Sequence, residues 1–133
     1  MILLASPNLA GYQAYQKNKY ETASPHRLTL MLYNGAIQFA GNAKSSIEEK
    51  DIIKTNNYVQ KVQSIIYELI SSLNIKQGGQ LAENLQSLYL YMIDRLMEAN
   101  IKKQTAPLEE VIGMLQELKS AWEEIGKRGT LGT

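Results

Sequence analysis

The chain of 133 residues carries one histidine, His26, and no cysteine. Those two counts close most routes to catalysis. A di-metal carboxylate site in a helical protein draws Glu-x-x-His pairs from facing helices, and one imidazole cannot supply them. Without cysteine there is no thiolate nucleophile, no Cys-ligated metal and no disulfide. His26 follows Pro25 at what reads as a helix start, where a solvated ring is expected. A histidine phosphorelay wants an exposed imidazole, preferably in mid-helix, and His26 is its sole candidate. No serine and aspartate combine with His26 in a nucleophilic triad pattern. Gly78-Gly79 reads as a turn, not as a phosphate-cradling loop. The carboxylates are scattered on polar faces or paired locally, as Glu98 with Lys102 at i, i+4. No catalytic, metal-ligating or cofactor-binding residue is nominated. The pattern is that of a binding protein, not an enzyme.

Binding chemistry is better represented. There are eight tyrosines, one phenylalanine and one tryptophan. Tyrosine joins a large apolar body to a polar tip, which suits a surface that is sometimes covered and sometimes wet. Met31, Met92, Met97 and Met114 add adaptable apolar surface. Lys+Arg number 14 against Asp+Glu 13, a formal net charge of +1, without the basic excess of a nucleic-acid binder. No stretch approaches the roughly 18 apolar residues of a membrane span. The opening MILLASPN lacks the basic region of a signal peptide. These features predict a soluble cytoplasmic domain.

The elements that position these residues follow from periodicity. Residues 1–23 read as an N-terminal arm, with Tyr12, Tyr15 and Tyr20 in AGYQAYQKNKY. Ser24-Pro25 pairs a hydroxyl N-cap with proline at the first helical position. Helix one then runs from about His26 to about Glu48, with Leu28, Leu32, Ala36, Phe39, Ala43 and Ile47 on its main face. Gly35 and Gly41 lower its intrinsic stability by about 1 kcal/mol each relative to alanine, and a glycine there allows a neighbouring helix to approach. EEKD at 48–51 is a turn. Helix two covers roughly Ile52 to Leu73, with Ile52, Val59, Val62, Ile66, Leu69 and Leu73 in a heptad-like stripe. Gly78-Gly79 is a break. Helix three covers 80–101. Pro107 opens helix four, whose Leu108, Val111, Leu115, Leu118, Trp122 and Ile125 form one stripe. The fold class is all-α: an antiparallel up-down-up-down four-helix bundle over 24–126, an arm over 1–23 able to pack on it, and a flexible tail over 127–133.

Helix three carries more apolar surface than one core needs. Leu81, Leu85, Leu88, Met92, Leu96 and Ala99 form one stripe. Leu90, Ile93, Met97 and Ile101 form a second, well round from the first, and Tyr89 and Tyr91 point to different sides. Either this helix is central, or part of it is a docking groove. Tyr33, Tyr67, Tyr89, Tyr91 and Trp122 are each expected at the core or its edge.

The order YQAYQ, SPHRLTLMLYNGAI, LQSLYLYMIDRLMEANIKK and LEEVIGMLQELKSAW, spanning about Tyr12 to Trp122, resembles the flagellar export chaperone FliS family. The resemblance implies a helical bundle with an N-terminal arm. It implies a cytoplasmic chaperone that binds the disordered C-terminal segment of flagellin in apolar grooves, blocks premature polymerisation and delivers flagellin to the flagellar type III export apparatus. Leu85, Leu88, Tyr89, Met92 and Leu96 match the family's third-helix motif as core or groove wall. The partner-binding set is Tyr12, Tyr15, Tyr33, Leu85, Tyr89, Ile93 and Met97. Within it, Tyr12 and Tyr15 stand where the family's arm plugs a groove or docks on the export gate component FlhA. The chain departs from the family in having Gln104 where an acidic residue is common, and in its long apolar start. Self-association through the spare apolar face and a regulatory or phosphorelay bundle using His26 are the competing readings.

Overall fold

The computed structural model describes residues 24–127. Tyr12, Tyr15, the arm and nearly all of the tail lie outside them. Four helices follow in order: α1 Pro25–Glu48, α2 Ile52–Ser71, α3 Ile75–Lys102 and α4 Ala106–Lys127. Each helix packs on two neighbours: α1 on α2 and α4, and α3 on α2 and α4. Short connections force successive helices antiparallel, which gives the expected up-down-up-down bundle.

Local sequence chemistry sets the helix ends. Ser24 Oγ accepts from the Arg27 amide at 3.2 Å, so the Ser-Pro start caps α1. The 48–51 turn closes with Lys50 in the left-handed region at φ 62°. Its last residue, Asp51, caps α2 by accepting from the Lys54 amide at 3.0 Å. Lys103 ends α3 in the left-handed conformation, with its amide donating to the Ala99 carbonyl.

The 78–79 break takes a different form from the one expected. Asn74 caps a first turn beginning at Ile75, with its side chain accepting from the Gln77 amide at 3.1 Å. Gly79 then leaves helical geometry at φ 56°, ψ −135°, and the long helix resumes beyond it. The expected break is thus present at Gly79, and what differs is the short helical turn that precedes it. A backbone at that φ favours glycine.

The core runs through the middle of the bundle. Ala36, Ala40 and Ala43 supply its α1 side, and Val59, Val62, Ile66 and Leu69 its α2 side. Met92, Leu96 and Ala99 come from α3, and Leu108, Val111 and Leu115 from α4. Small α1 side chains bring α2 close, and a Cβ on Gly35 would lie 3.3 Å from Ile65 Cδ1. Gly41 plays no such part, since a Cβ there would meet nothing within 4 Å.

Two stripe residues miss the core. Leu81 is 68% exposed and Ile52 is 61% exposed. Lys103 of α3 bonds Asn56 of α2, which fixes the antiparallel register of that pair. At one rise per residue, Leu81 then lies about two turns past the end of α2, and Ile52 lies beyond the end of α3. Both stripes continue after the facing helix has stopped.

Candidate functional site

The second apolar line of helix three divides between core and surface. Ile93 is buried, whereas Leu90 is 48%, Met97 49% and Ile101 76% exposed. Leu90, Met97 and Ile101 are seven and four residues apart, so they form one outward stripe. The stripe lies toward α2. Met97 is one turn before Asn100, whose side chain shares Lys103 Nζ with Asn56 of α2. Across from it, Tyr67 of α2 is 54% exposed and stands three turns from Asn56, on the same side of its helix. The result is an open apolar face between α2 and α3, with Ile93 at its floor.

α2 contributes no charged side chain of its own to this face. The charged residues within α2 are Lys54, Lys61 and Glu68, spaced by sevens and so on one side. Lys61 marks that side as the one toward α1, because its ammonium sits 5.1 Å from the Phe39 ring centre and 5.7 Å from that of Tyr58. Toward α3, α2 presents Asn56, Gln63, Tyr67 and Ile70. Lys103 does reach between the helices, but its three donors are taken by Asn56 Oδ1 at 2.9 Å, Asn100 O at 2.5 Å and Asn100 Oδ1 at 2.7 Å.

The other flank of α3 is closed by ionic contacts with α4. Tyr91 Oη donates to Glu110 at 2.6 Å, and Arg95 Nε donates to the other Glu110 oxygen at 2.7 Å. Arg95 also donates to Glu98 at 2.7 Å, and Glu98 lies 3.8 Å from Lys102 Nζ. The Tyr91 hydroxyl and the Arg95 guanidinium together hold the Glu110 carboxyl below its ordinary value. The hydrogen bond to Glu110 raises the Tyr91 phenol. All of these groups face solvent, so each contributes little to stability singly.

Beneath α3, Tyr33 of α1 and Tyr89 of α3 meet across the bundle diagonal, with hydroxyls 2.6 Å apart and both side chains buried. Burial pushes both phenols above the ordinary tyrosine value. Of the nominated binding residues, Tyr33, Tyr89 and Ile93 thus lie inside the bundle. Leu85 is half-buried against the core and Met97 is on the surface. That set lacks Tyr67 and Leu90, although both stand exposed beside it. The seven-residue spacing of Leu90 and Met97 was the available signal.

His26 is not solvated as expected. Its ring stacks on Trp122 of α4, with centroids 5.3 Å apart and planes 16° from parallel. Trp122 Nε1 donates to the His26 carbonyl at 3.0 Å. Nδ1 is buried without a partner, and a Cβ at Gly126 would collide with Nε2. The imidazole is used as a packing surface that joins the start of α1 to the end of α4. Among the described residues, no group of three or more His, Asp or Glu side chains could hold a metal ion. No described helix is long and apolar enough to cross a membrane.

Among the described residues, the α2–α3 face leaves Tyr67, Leu90, Met97 and Ile101 open to solvent. Residues 8–129 match the family described as Flagellar protein FliS. The chain belongs to the FliS family. It is 42% identical to the flagellar secretion chaperone FliS of Bacillus subtilis (strain 168), over 85% of this chain and 84% of the relative. It is 36% identical to that of Campylobacter jejuni, over 93% and 96%. It is 34% identical to that of Salmonella typhimurium, over 91% and 93%. The FliS match reaches from before Tyr12 and Tyr15 to beyond Trp122.

Proposed function

We propose that this chain is a flagellin-specific secretion chaperone. It holds the disordered C-terminal segment of flagellin on the α2–α3 face, prevents premature polymerisation and passes the segment to the flagellar type III export apparatus. The observation that carries this reading is the exposed stripe Leu90, Met97 and Ile101, opposed by Tyr67 and floored by Ile93. Ordering a disordered segment costs about 2–5 kcal/mol, so the surface must bury apolar area well beyond a single side chain. Neighbouring exposed apolar side chains on two helices supply such area. Binding needs no nucleotide, and release proceeds by successive unwrapping.

In this reading the binding set divides by position. Met97 and the upper part of Leu85 meet the segment, and Ile93 is covered by it. Tyr33 and Tyr89 act from below, by holding α3 at a fixed distance from α1. Residues 1–23 form the arm, 24–126 the working bundle and 127–133 the tail. Tyr12 and Tyr15 dock on FlhA, or plug the groove when flagellin is absent. The working place of such a chaperone is the cytoplasm.

The test is a calorimetric titration of the flagellin C-terminal segment into the full chain and into a Leu90→Glu, Met97→Glu variant. Tight binding that the double change weakens about a hundredfold, with helicity kept, supports the reading. Wild-type affinity in the variant overturns the assignment of the face. Absence of binding to the wild type overturns the function.

A further inference from the structure

A lysine takes a left-handed backbone position at both turns on one end of the bundle, Lys50 between α1 and α2 and Lys103 at the end of α3. Glycine is favoured in that conformation, so each lysine is held there against a local cost. The side chains are used differently. Among the described residues, the Lys50 ammonium meets no acceptor. The Lys103 ammonium meets Asn100 O, Asn100 Oδ1 and Asn56 Oδ1, and its residue is half-buried where Lys102 beside it is exposed. The amides of Lys103 and Gln104 both turn back to the Ala99 carbonyl, so the Asn100 carbonyl at the end of α3 is taken by the ammonium instead. Nζ thereby joins the closing turn of α3 to the second turn of α2. Among the described residues this is the only side-chain hydrogen bond or ion pair between those two helices. By contrast, Tyr91 and Arg95 tie α3 to α4, and Tyr89 ties it to α1. At their other end, α2 and α3 are joined by the chain itself through residues 72–74. The open face lies between these two fastenings.

Resting on the flagellin reading of this face, we propose that Lys103 is its positioning residue. The ammonium acts through Asn56 and Asn100. It holds α2 and α3 at the separation that sets Leu90, Met97 and Ile101 opposite Tyr67, and it makes no contact with the occupant. An ammonium whose three donors are filled has none to offer a partner. Its contribution is preorganisation: a face already at its working width leaves less ordering to be done when the segment arrives. This accounts for a lysine at a backbone position that glycine would fill at lower cost, since glycine has no side chain to span the two helices.

The test begins with the full chain alone. It has no cysteine, so Gln60→Cys on α2 and Asp94→Cys on α3, both at exposed positions, give a defined pair of spin-label sites. Pulsed electron resonance should read a narrow distance between them, and a broader or longer one once Lys103→Met is added. Methionine keeps an unbranched side chain on the same backbone and removes only the ammonium. The flagellin C-terminal segment is then titrated into the unlabelled chains. Lys103→Met and Asn56→Ala should each weaken binding about three- to tenfold, and the double variant no more than the weaker binder of the two, because both changes cut one node. Lys50→Met should change neither the distance nor the affinity. Circular dichroism melts confirm that each variant is folded. An unchanged distance in Lys103→Met overturns the proposal. So do additive losses in the double variant, which would mark Lys103 as a direct contact of the segment. A wild-type chain that binds no segment overturns the flagellin reading instead, and the distances still decide for or against Lys103 as the tie between the helices.

Discussion

The two flanks of α3 do opposite things with the same helix. Toward α4, Tyr91, Arg95 and Glu98 reach Glu110 and Lys102, so charged side chains satisfy one another at the surface. Toward α2, Leu90, Met97 and Ile101 face solvent with the exposed Tyr67 opposite. An ionic seam is content in water and gains little from being covered. An apolar seam is the reverse, since covering it releases structured solvent at about 25 cal/mol per Å². The difference teaches which side of the helix has a reason to accept a partner. The closed flank joins α3 to α4, and the open flank is the one proposed to take the flagellin segment.

The largest expected effect breaks the open flank. Leu90→Glu with Met97→Glu should lower affinity for the flagellin C-terminal segment by about a hundredfold, since two side chains worth about 1.5–3 kcal/mol each when buried are replaced by charges. Calorimetry reads the affinity, and a melt checks the fold. Next is the tie beneath both flanks. Tyr89→Phe leaves the Tyr33 hydroxyl buried without its partner and should cost about 1–3 kcal/mol in urea unfolding. Adding Tyr33→Phe should recover part of that loss.

The same pair governs the alkaline limb. Both phenols titrate higher in the folded chain than the ordinary value of 10.0. Their stabilising contribution is therefore complete below pH 10 and is lost progressively as pH rises above it, while the unfolded chain ionises first. The double phenylalanine variant should show a flatter decline in Tm above pH 10. If its decline matches that of the wild type, the pair is not the source.

The smallest effect belongs to the closed flank. Glu110 titrates below its ordinary value of 4.5 in the folded chain. Its contribution is present above that value and fades as pH falls below it. Glu110→Gln should leave flagellin affinity unchanged and remove only a shallow acid dependence of the melt. A large loss of affinity in Glu110→Gln would erase the distinction between the two flanks.

Much of this is legible in the sequence. The Ser24-Pro25 cap and the core-facing parts of the four apolar stripes are present in the structure, because caps and stripes are local patterns of spacing. The site was less legible. Periodicity marks Leu90, Ile93 and Met97 as one line, yet Ile93 is buried while the other two are open. Tyr89 and Tyr91 are two residues apart, and one lies in the core while the other bonds Glu110 at the surface. His26 looked solvated at a helix start because nothing local reveals the distant Trp122 that covers it.

The sequence by itself determined the helices, their ends and the surplus of apolar surface on α3, since each depends on residues within a turn or two of one another. Only the tertiary structure decided where the surplus goes. The antiparallel register set by Asn56 and Lys103 leaves Leu81 and Ile52 beyond their neighbours. The position of α4 turns one flank of α3 into an ionic seam. What remains uncovered depends on which helix stands opposite, and that is a property of the assembled bundle rather than of any one stretch of chain.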